Sequence, residues 1–301
     1  MARVETVKTM ILNSTNMEKK NFNAVHSTKM TSEDFRKLSR FITEHAGIKM
    51  PDAKKVMLQS RLQKRLRYLN MNDFKEYVDY VFTEDGIQNE LIHMLDVVST
   101  NKTDFFREPV HFEFLEKNLL PEYISQFSLR RPLKVWSAGC SSGEEVYTIA
   151  ITMEEFKKNH SGLDYSIFGT DISTDILRKA VDAIYKEEKI DNIPIDLKKK
   201  YFLKSKDRSK KLVRIAPELR NKARFKRMNL MDSRYDLNDT FDVIFCRNTL
   251  IYFNRDTQES VINKLTGKLR RGGYFFIGHS ESIMGMDVPL EQIKPTIFQR
   301  I

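Results

Sequence analysis

From Thr31 the chain sets apolar residues at helical spacing against polar ones. In TSEDFRKLSRFITEHAGIKM, Thr31 is followed three residues later by Asp34, a capping-box signature, and then Phe35, Leu38, Phe41 and Ile42 share one face. DAKKVMLQSRLQKRLRYL, residues 52–69, repeats the device with Leu58, Leu62, Leu66 and Leu69, and DFKEYVDYVF and IQNELIHMLDVV continue it. The spacing predicts an all-helical domain over 29–98. The first 28 residues are polar without sustained periodicity and are expected to form a flexible tail.

Beyond a linking segment over 99–132 the pattern becomes short apolar runs alternating with helices. Strands are expected near 133–137, 165–170, 223–228, 241–246, 274–277 and 296–300, and helices near 143–158, 173–184 and 255–270. Runs that are apolar almost throughout and separated by helices predict a mostly parallel sheet covered on both faces, a doubly wound α/β domain over 133–301. The charged stretch at about 186–222 is too long for an ordinary connection and reads as an inserted subdomain, with KLVRI as a strand of a small antiparallel ribbon.

The 301 residues, 41% hydrophobic, suffice for a real core. Without about 18 consecutive apolar residues or a signal-peptide layout in MARVETVKTMILNSTNMEKK, the expected protein is cytoplasmic, with no membrane insertion. Cys140 and Cys246 lie far apart with no C-x-x-C, so neither a disulfide framework nor a metal site is expected. The formal charge of +10 points to an acidic partner.

Ligands of such sheets sit beyond the carboxyl ends of the strands. After the first run comes WSAGCSSGEEVYTIAI, where Gly139 and Gly143 lead into Glu144 and Glu145. A glycine turn opening a helix usually receives a phosphate, but two carboxylates would repel one, so a cationic or zwitterionic ligand is expected. Acids on a first turn can also merely complement the helix dipole. Asp171 ends the second run, where a ribose diol is held in nucleoside-binding folds, or where it would cap the next helix. Asn229 and Leu230 follow the third run and can flank a flat base. Arg247 and Asn248 follow the fourth. A ligand with an adenosine, no phosphate, an amine and a sulfonium fits this set: S-adenosylmethionine.

STNKTDFFREPVHF (99–112), WSAGCSSGEEVYTIAI (136–151), FGTDISTDILRKA (168–180) and FDVIFCRNTLIYF (241–253) together resemble the CheR family of chemotaxis receptor glutamate methyltransferases. The likeness runs from about residue 30 to the end, in order. It implies a class I S-adenosylmethionine-dependent methyltransferase fold, Rossmann-like, with the helical domain in front and the small antiparallel β subdomain inserted. It also implies that Asn101, Thr103 and Arg107 close over the cofactor, that Glu145 (or its neighbour Glu144) holds the amine, Asp171 the ribose and Asn229 with Leu230 the adenine, and that Arg247 and Asn248 form the rim. Arg107 and Tyr252 would position the acceptor, although a tyrosine in LIYF also suits a core. The reaction implied is methyl transfer to receptor glutamates for sensory adaptation, leaving S-adenosylhomocysteine.

A glutamate acceptor with an ordinary pKa near 4.3 needs no general base. His279, Ser280 and Glu281 superficially suggest a hydrolase triad, but neighbours in one loop rarely share that geometry. Lys54, Arg61, Lys64 and Arg65 recur opposite the leucines as a basic stripe, a solvated face or, as the resemblance implies, the surface that meets acidic receptor helices. Some family members grip a receptor's terminal pentapeptide with the inserted ribbon after a glycine-rich turn. Here the turn reads KSKDRSKK, which puts tail tethering in doubt. A monomer is expected. The rivals are a nucleic-acid methyltransferase of the same fold, against which the exit CRNTLIYF offers no aromatic pocket for an extruded base, and a non-catalytic interaction module.

Overall fold

The computed structural model describes residues 29–127 and 131–301, so the expected tail over 1–28 lies outside the described residues. The chain divides into two units, Met1–Ser99 and Thr100–Ile301.

In the first unit, α1 (Ser32–Ala46) starts on the expected capping box: Asp34 N donates to Thr31 Oγ1 at 3.0 Å and Thr31 N to Asp34 Oδ2 at 3.2 Å. Gly47, at φ 69, ends it. Next come α2 (Lys55–Tyr68), α3 (Phe74–Val81), α4 (Glu84–Asn89) and α5 (Leu91–Val98). Leu58, Leu62 and Leu66 are fully buried against Leu38, Ile42, Phe74 and Met94, whereas Leu69 caps the helix end and is only half-buried. Glu90 is buried too, its carboxylate accepting from Arg65 Nε (2.8 Å), Arg65 Nη2 (2.6 Å) and Tyr77 Oη (2.9 Å).

The second unit begins with a non-helical segment, then α6 (Val110–Phe114), a π turn (Leu115–Leu119) and α7 (Leu120–Phe127). There follow β1 (Leu133–Ala138), α8 (Glu144–Lys157), β2 (Tyr165–Asp171) and α9 (Thr174–Asp182). The insert holds β3 (Ile184–Lys186), α10 (Ile195–Tyr201), β4 (Phe202–Lys204) and β5 (Leu212–Ile215), after which come α11 (Pro217–Arg220) and β6 (Ala223–Arg227). The chain finishes with β7 (Phe241–Cys246), α12 (Arg255–Thr266), β8 (Leu269–Ile277), β9 (Leu290–Lys294) and β10 (Ile297–Arg300).

The large sheet runs β6-β2-β1-β7-β8-β10-β9, parallel from β6 through β8, with β10 antiparallel to both its neighbours. This is the doubly wound, Rossmann-like arrangement expected of a class I S-adenosylmethionine-dependent methyltransferase. Every residue of β7 is buried because both sheet faces are covered. Alternate side chains feed opposite layers: Val135, Phe245 and Phe276 pack with α8, while Trp136, Ile244 and Phe275 pack with α12. The order reverses between β1 and β7, which makes their carboxyl ends the switch point.

The insert is a three-stranded antiparallel sheet, β3-β5-β4, with the expected LVRI strand at its centre. It begins at Ile184, directly after α9, which stops short of 184 because Ala183 takes φ 53. Likewise α12 ends at Thr266 rather than 270, and β8 starts at Leu269, before the glycine pair, instead of 274. Strand β9 was not anticipated. Among the described residues no helix is long and apolar enough to cross a membrane.

Candidate active site

Strand β1 delivers the chain into a turn that needs its glycines. Gly139 lies at φ 82, and a Cβ there would stand 2.3 Å from Thr249 Oγ1; Gly143, at φ 91, precedes α8. The turn is held from β2. Asp171 Oδ2 accepts from Ser141 N at 2.9 Å and its Oδ1 from Ser173 N at 3.0 Å. The cap of α9 is Ser173, whose Oγ accepts from Ile176 N, so Asp171 is not the N-cap that its position also allowed. Met228 N donates to Asp171 O at 2.9 Å, which brings half-buried Asn229 and buried Leu230 beside it.

The two glutamates of the turn part company. Glu144 is buried, accepts from Ser142 Oγ at 2.6 Å and stands 3.9 Å from Lys189 Nζ of the insert; burial pushes its carboxyl pKa up. Glu145 lies over the switch point, accepting from Ser137 Oγ (2.7 Å) and from Arg247 Nη1 (2.9 Å).

Arg247, its side chain 2% exposed, is the central cation. Besides Glu145 it donates through Nη2 to Arg107 O and to Glu108 Oε2 (2.9 Å), and its guanidinium stands 5.4 Å from the Phe112 ring centre. Glu108 was not singled out from the sequence, yet it joins three segments: Asn248 Nδ2 donates to Oε1 (3.2 Å) and His279 N to Oε2 (3.3 Å). Burial works to raise the Glu108 pKa, but Arg247, Asn248 and the His279 N–H outweigh it and the net shift is downward. The only local signal was a carboxylate beside Arg107 in the quoted NKTDFFREP block. Phe106 (φ 53), Glu108 (φ 57) and Ser141 (φ 50) take the left-handed backbone uncommon for such residues, and Asn248 (φ 56), an asparagine that tolerates it better, joins them, a concentration typical of functional sites.

His279, Ser280 and Glu281 form no triad. The Glu281 carboxylate accepts from the backbone N–H groups of Asn248 (2.9 Å) and Gly278 (2.6 Å), while His279 Nε2 lies 3.8 Å from Glu108 Oε2. Fully buried His111, also unremarked in the sequence, has Nε2 at 2.7 Å from Thr296 Oγ1 and Nδ1 at 3.6 Å from Glu108 Oε2. Donor atoms of Glu108, His111 and His279 lie within 4.8 Å of one another, spacing that would suit a metal ion. Arg247 already donates to the same Glu108 oxygen, so a second cation there would meet a fixed positive charge.

Of the other site residues expected from sequence, Asn101 O accepts from Ser141 Oγ (3.1 Å) and Thr103 O from Lys189 Nζ (2.7 Å). Arg107 donates to Lys102 O (3.1 Å) and remains 37% exposed. Tyr252 is half-buried with its Oη 3.4 Å from Thr100 O, not a core residue. In the helical unit, Lys64 is exposed and Lys54 half-buried, its Nζ donating to Lys49 O (3.0 Å). The expected stripe is less uniform than its spacing implied. Arg61 Nη1 donates to Val98 O and Ser99 O, and Arg65 is spent on buried Glu90.

Glu145 and Glu108 thus share one buried guanidinium while Asp171 is held by backbone N–H groups, an acid-rich lining that suits a cationic amino-acid head and a diol rather than a phosphate.

Residues 101–298 match the family model described as CheR methyltransferase, SAM binding domain, and residues 33–99 match that of the CheR methyltransferase all-alpha domain. The chemotaxis protein methyltransferase of Borreliella burgdorferi is 36% identical over 290 residues, covering 95% of this chain and 99% of that protein. That of Escherichia coli is 34% identical over 260 residues, covering 86% and 87%. The solved magnesium protoporphyrin IX methyltransferase of Synechocystis PCC 6803 with bound SAM is 15% identical, covering 66% of this chain and 72% of that one, at a TM-score of 0.30. The cofactor is S-adenosylmethionine, and the acidic lining of the switch point fits it. With both of its domains matched in sequence order, the chain belongs to the CheR methyltransferase family.

Proposed function

We propose that the protein methylates glutamate side chains of methyl-accepting chemotaxis receptors, forming methyl esters for sensory adaptation. The observation that carries this reading is that a relative named as a chemotaxis protein methyltransferase aligns with 95% of this chain, helical unit included. When bound, S-adenosylmethionine supplies an electrophilic methyl group. Glu145 would hold its amine, Asp171 its ribose, and Asn229 with Leu230 its adenine. Asn101, Thr103 and Arg107 would close over it, with Arg247 and Asn248 at the rim. Arg247 fixes Glu145 and Glu108 in place and, against the burial that would raise it, helps hold the Glu108 carboxyl below its usual range.

The acceptor carboxylate is an anion at neutral pH, so the chain must align and partly desolvate it rather than remove a proton. Arg107, still exposed, and Tyr252 are the groups suited to orient it, since a guanidinium fork matches a carboxylate. Exposed Lys64 would lead the contact with acidic receptor helices, with Lys54 beside it, whereas the Arg61 and Arg65 guanidinium groups are engaged within the unit. Tritiated methyl transfer to receptor-rich membranes, with base-labile product, is expected. Transfer to DNA or RNA instead, or a base-stable product, would overturn the reading.

A further inference from the structure

The insert between α9 and β6 far exceeds what that connection needs, and besides meeting α8 through Tyr201 and Glu155 it packs on the segment over 101–107. Phe105 is buried with its ring edge-on to Tyr185 of β3 (centroids 5.0 Å apart, 77° between planes) and to Phe202 of β4 (5.3 Å, 80°). Lys189, on the turn after β3, donates through Nζ to Thr103 O (2.7 Å) and to Asp104 Oδ1 (2.8 Å), and reaches within 3.9 Å of Glu144 Oε1. Tyr185 Oη donates to Ser142 O (2.7 Å), inside the glycine turn. The insert therefore touches both walls of the cofactor site.

We propose that the inserted sheet is a brace for the cofactor-closing segment, with Lys189 and the Phe105 cage as its positioning elements. Left-handed Phe106 and Glu108 bracket Arg107, and a backbone of that kind persists only where its surroundings hold it. From the large sheet's side the hold is polar: Ser141 Oγ to Asn101 O, Phe106 N to Thr148 Oγ1 (3.1 Å) and Arg247 to Arg107 O. The insert adds the buried aromatic anchor and a lysine whose sequence distance from Thr103 is 86 residues. Loosening it would let the segment sample open forms, and the cofactor would then bind with the affinity of the closed fraction.

The inference rests on the reading that residues 101–107 close over the cofactor. Hydrogen exchange of amides 101–108 and calorimetric titration with S-adenosylhomocysteine, on full-length wild type, Lys189→Ala, Lys189→Arg and Phe105→Leu, test both. In Lys189→Ala and Phe105→Leu we expect faster exchange there and affinity weakened about tenfold, a charge-assisted contact or a packed ring being worth that much. Lys189→Arg should recover most of the loss. Should Lys189→Ala, a half-exposed change that leaves the core intact, and Phe105→Leu both bind and exchange as wild type does, the brace is refuted while the closing segment stands. If wild type binds the ligand with no slowing at 101–108, the closing-segment reading fails and the brace with it.

Discussion

Glu145 and Arg247 meet at 2.9 Å although 102 residues separate them in the chain, one on the first turn of α8 and the other directly after β7. The pair fixes a carboxylate over the switch point, whereas Glu144 turns toward Ser142 and Lys189. Glu145→Gln should weaken S-adenosylhomocysteine binding about tenfold or more, through loss of a charged hydrogen-bond partner, while Glu144→Gln leaves it within about twofold. Calorimetry on both variants checks this; equal losses would mean the amine does not discriminate between the neighbours.

Asp171 uses separate oxygens for Ser141 N and Ser173 N. An asparagine has a single acceptor oxygen, so Asp171→Asn deprives one backbone N–H of its partner and offers the ribose a weaker acceptor. The expected outcome is a lower Tm, by the equivalent of about 1–2 kcal/mol, together with about tenfold weaker cofactor binding. Wild-type affinity in Asp171→Asn would remove the ribose from its role.

Why some of this was readable in sequence and some was not follows from where each signal resides. Strands β1 and β7 are apolar nearly end to end because both sheet faces are covered; Asp171 and Arg247 stand out as charges at the ends of such runs, and Glu145 as one just past the glycine turn. Strand β9, LEQIK, is an edge strand with mostly exposed side chains, so no apolar run announces it. The early stop of α9 depends on an alanine in left-handed backbone, which composition does not mark. Glu108 owes its importance to Arg247, 139 residues later, and His111 to a fold that buries it beside them. Arg61 and Arg65 show the converse: helical spacing displayed a basic stripe but not that both guanidinium groups had internal partners.

His111 supplies a pH test. Burial, and then the nearby charge of Arg247, lower its pKa from 6.5 to about 3, the Glu108 carboxylate opposing and His279 adding to the effect. The native imidazole thus refuses a proton that the unfolded chain accepts. Its contribution is intact above about pH 6.5 and is lost progressively as pH falls toward 3. The Tm advantage of wild type over His111→Gln should be greatest near pH 7.5 and shrink toward pH 4.5. An advantage that grows on acidification would show that the native ring takes up the proton.

Within the helical unit, Arg65 and Lys64 separate stability from docking. Arg65 holds Glu90, whose side chain is 2% exposed, and Tyr77 Oη shares the same carboxylate. Removing the guanidinium leaves a buried charge uncompensated, so Arg65→Ala should cost about 3–5 kcal/mol of stability whatever its effect on the acceptor. Lys64 is exposed, and reversing its charge alters the field of the helix face without touching the core. Lys64→Glu should therefore melt like wild type and bind S-adenosylhomocysteine normally, while KM for a receptor acceptor rises several-fold, more at low salt than at high. An unchanged KM at low ionic strength would move the receptor contact off this face of α2.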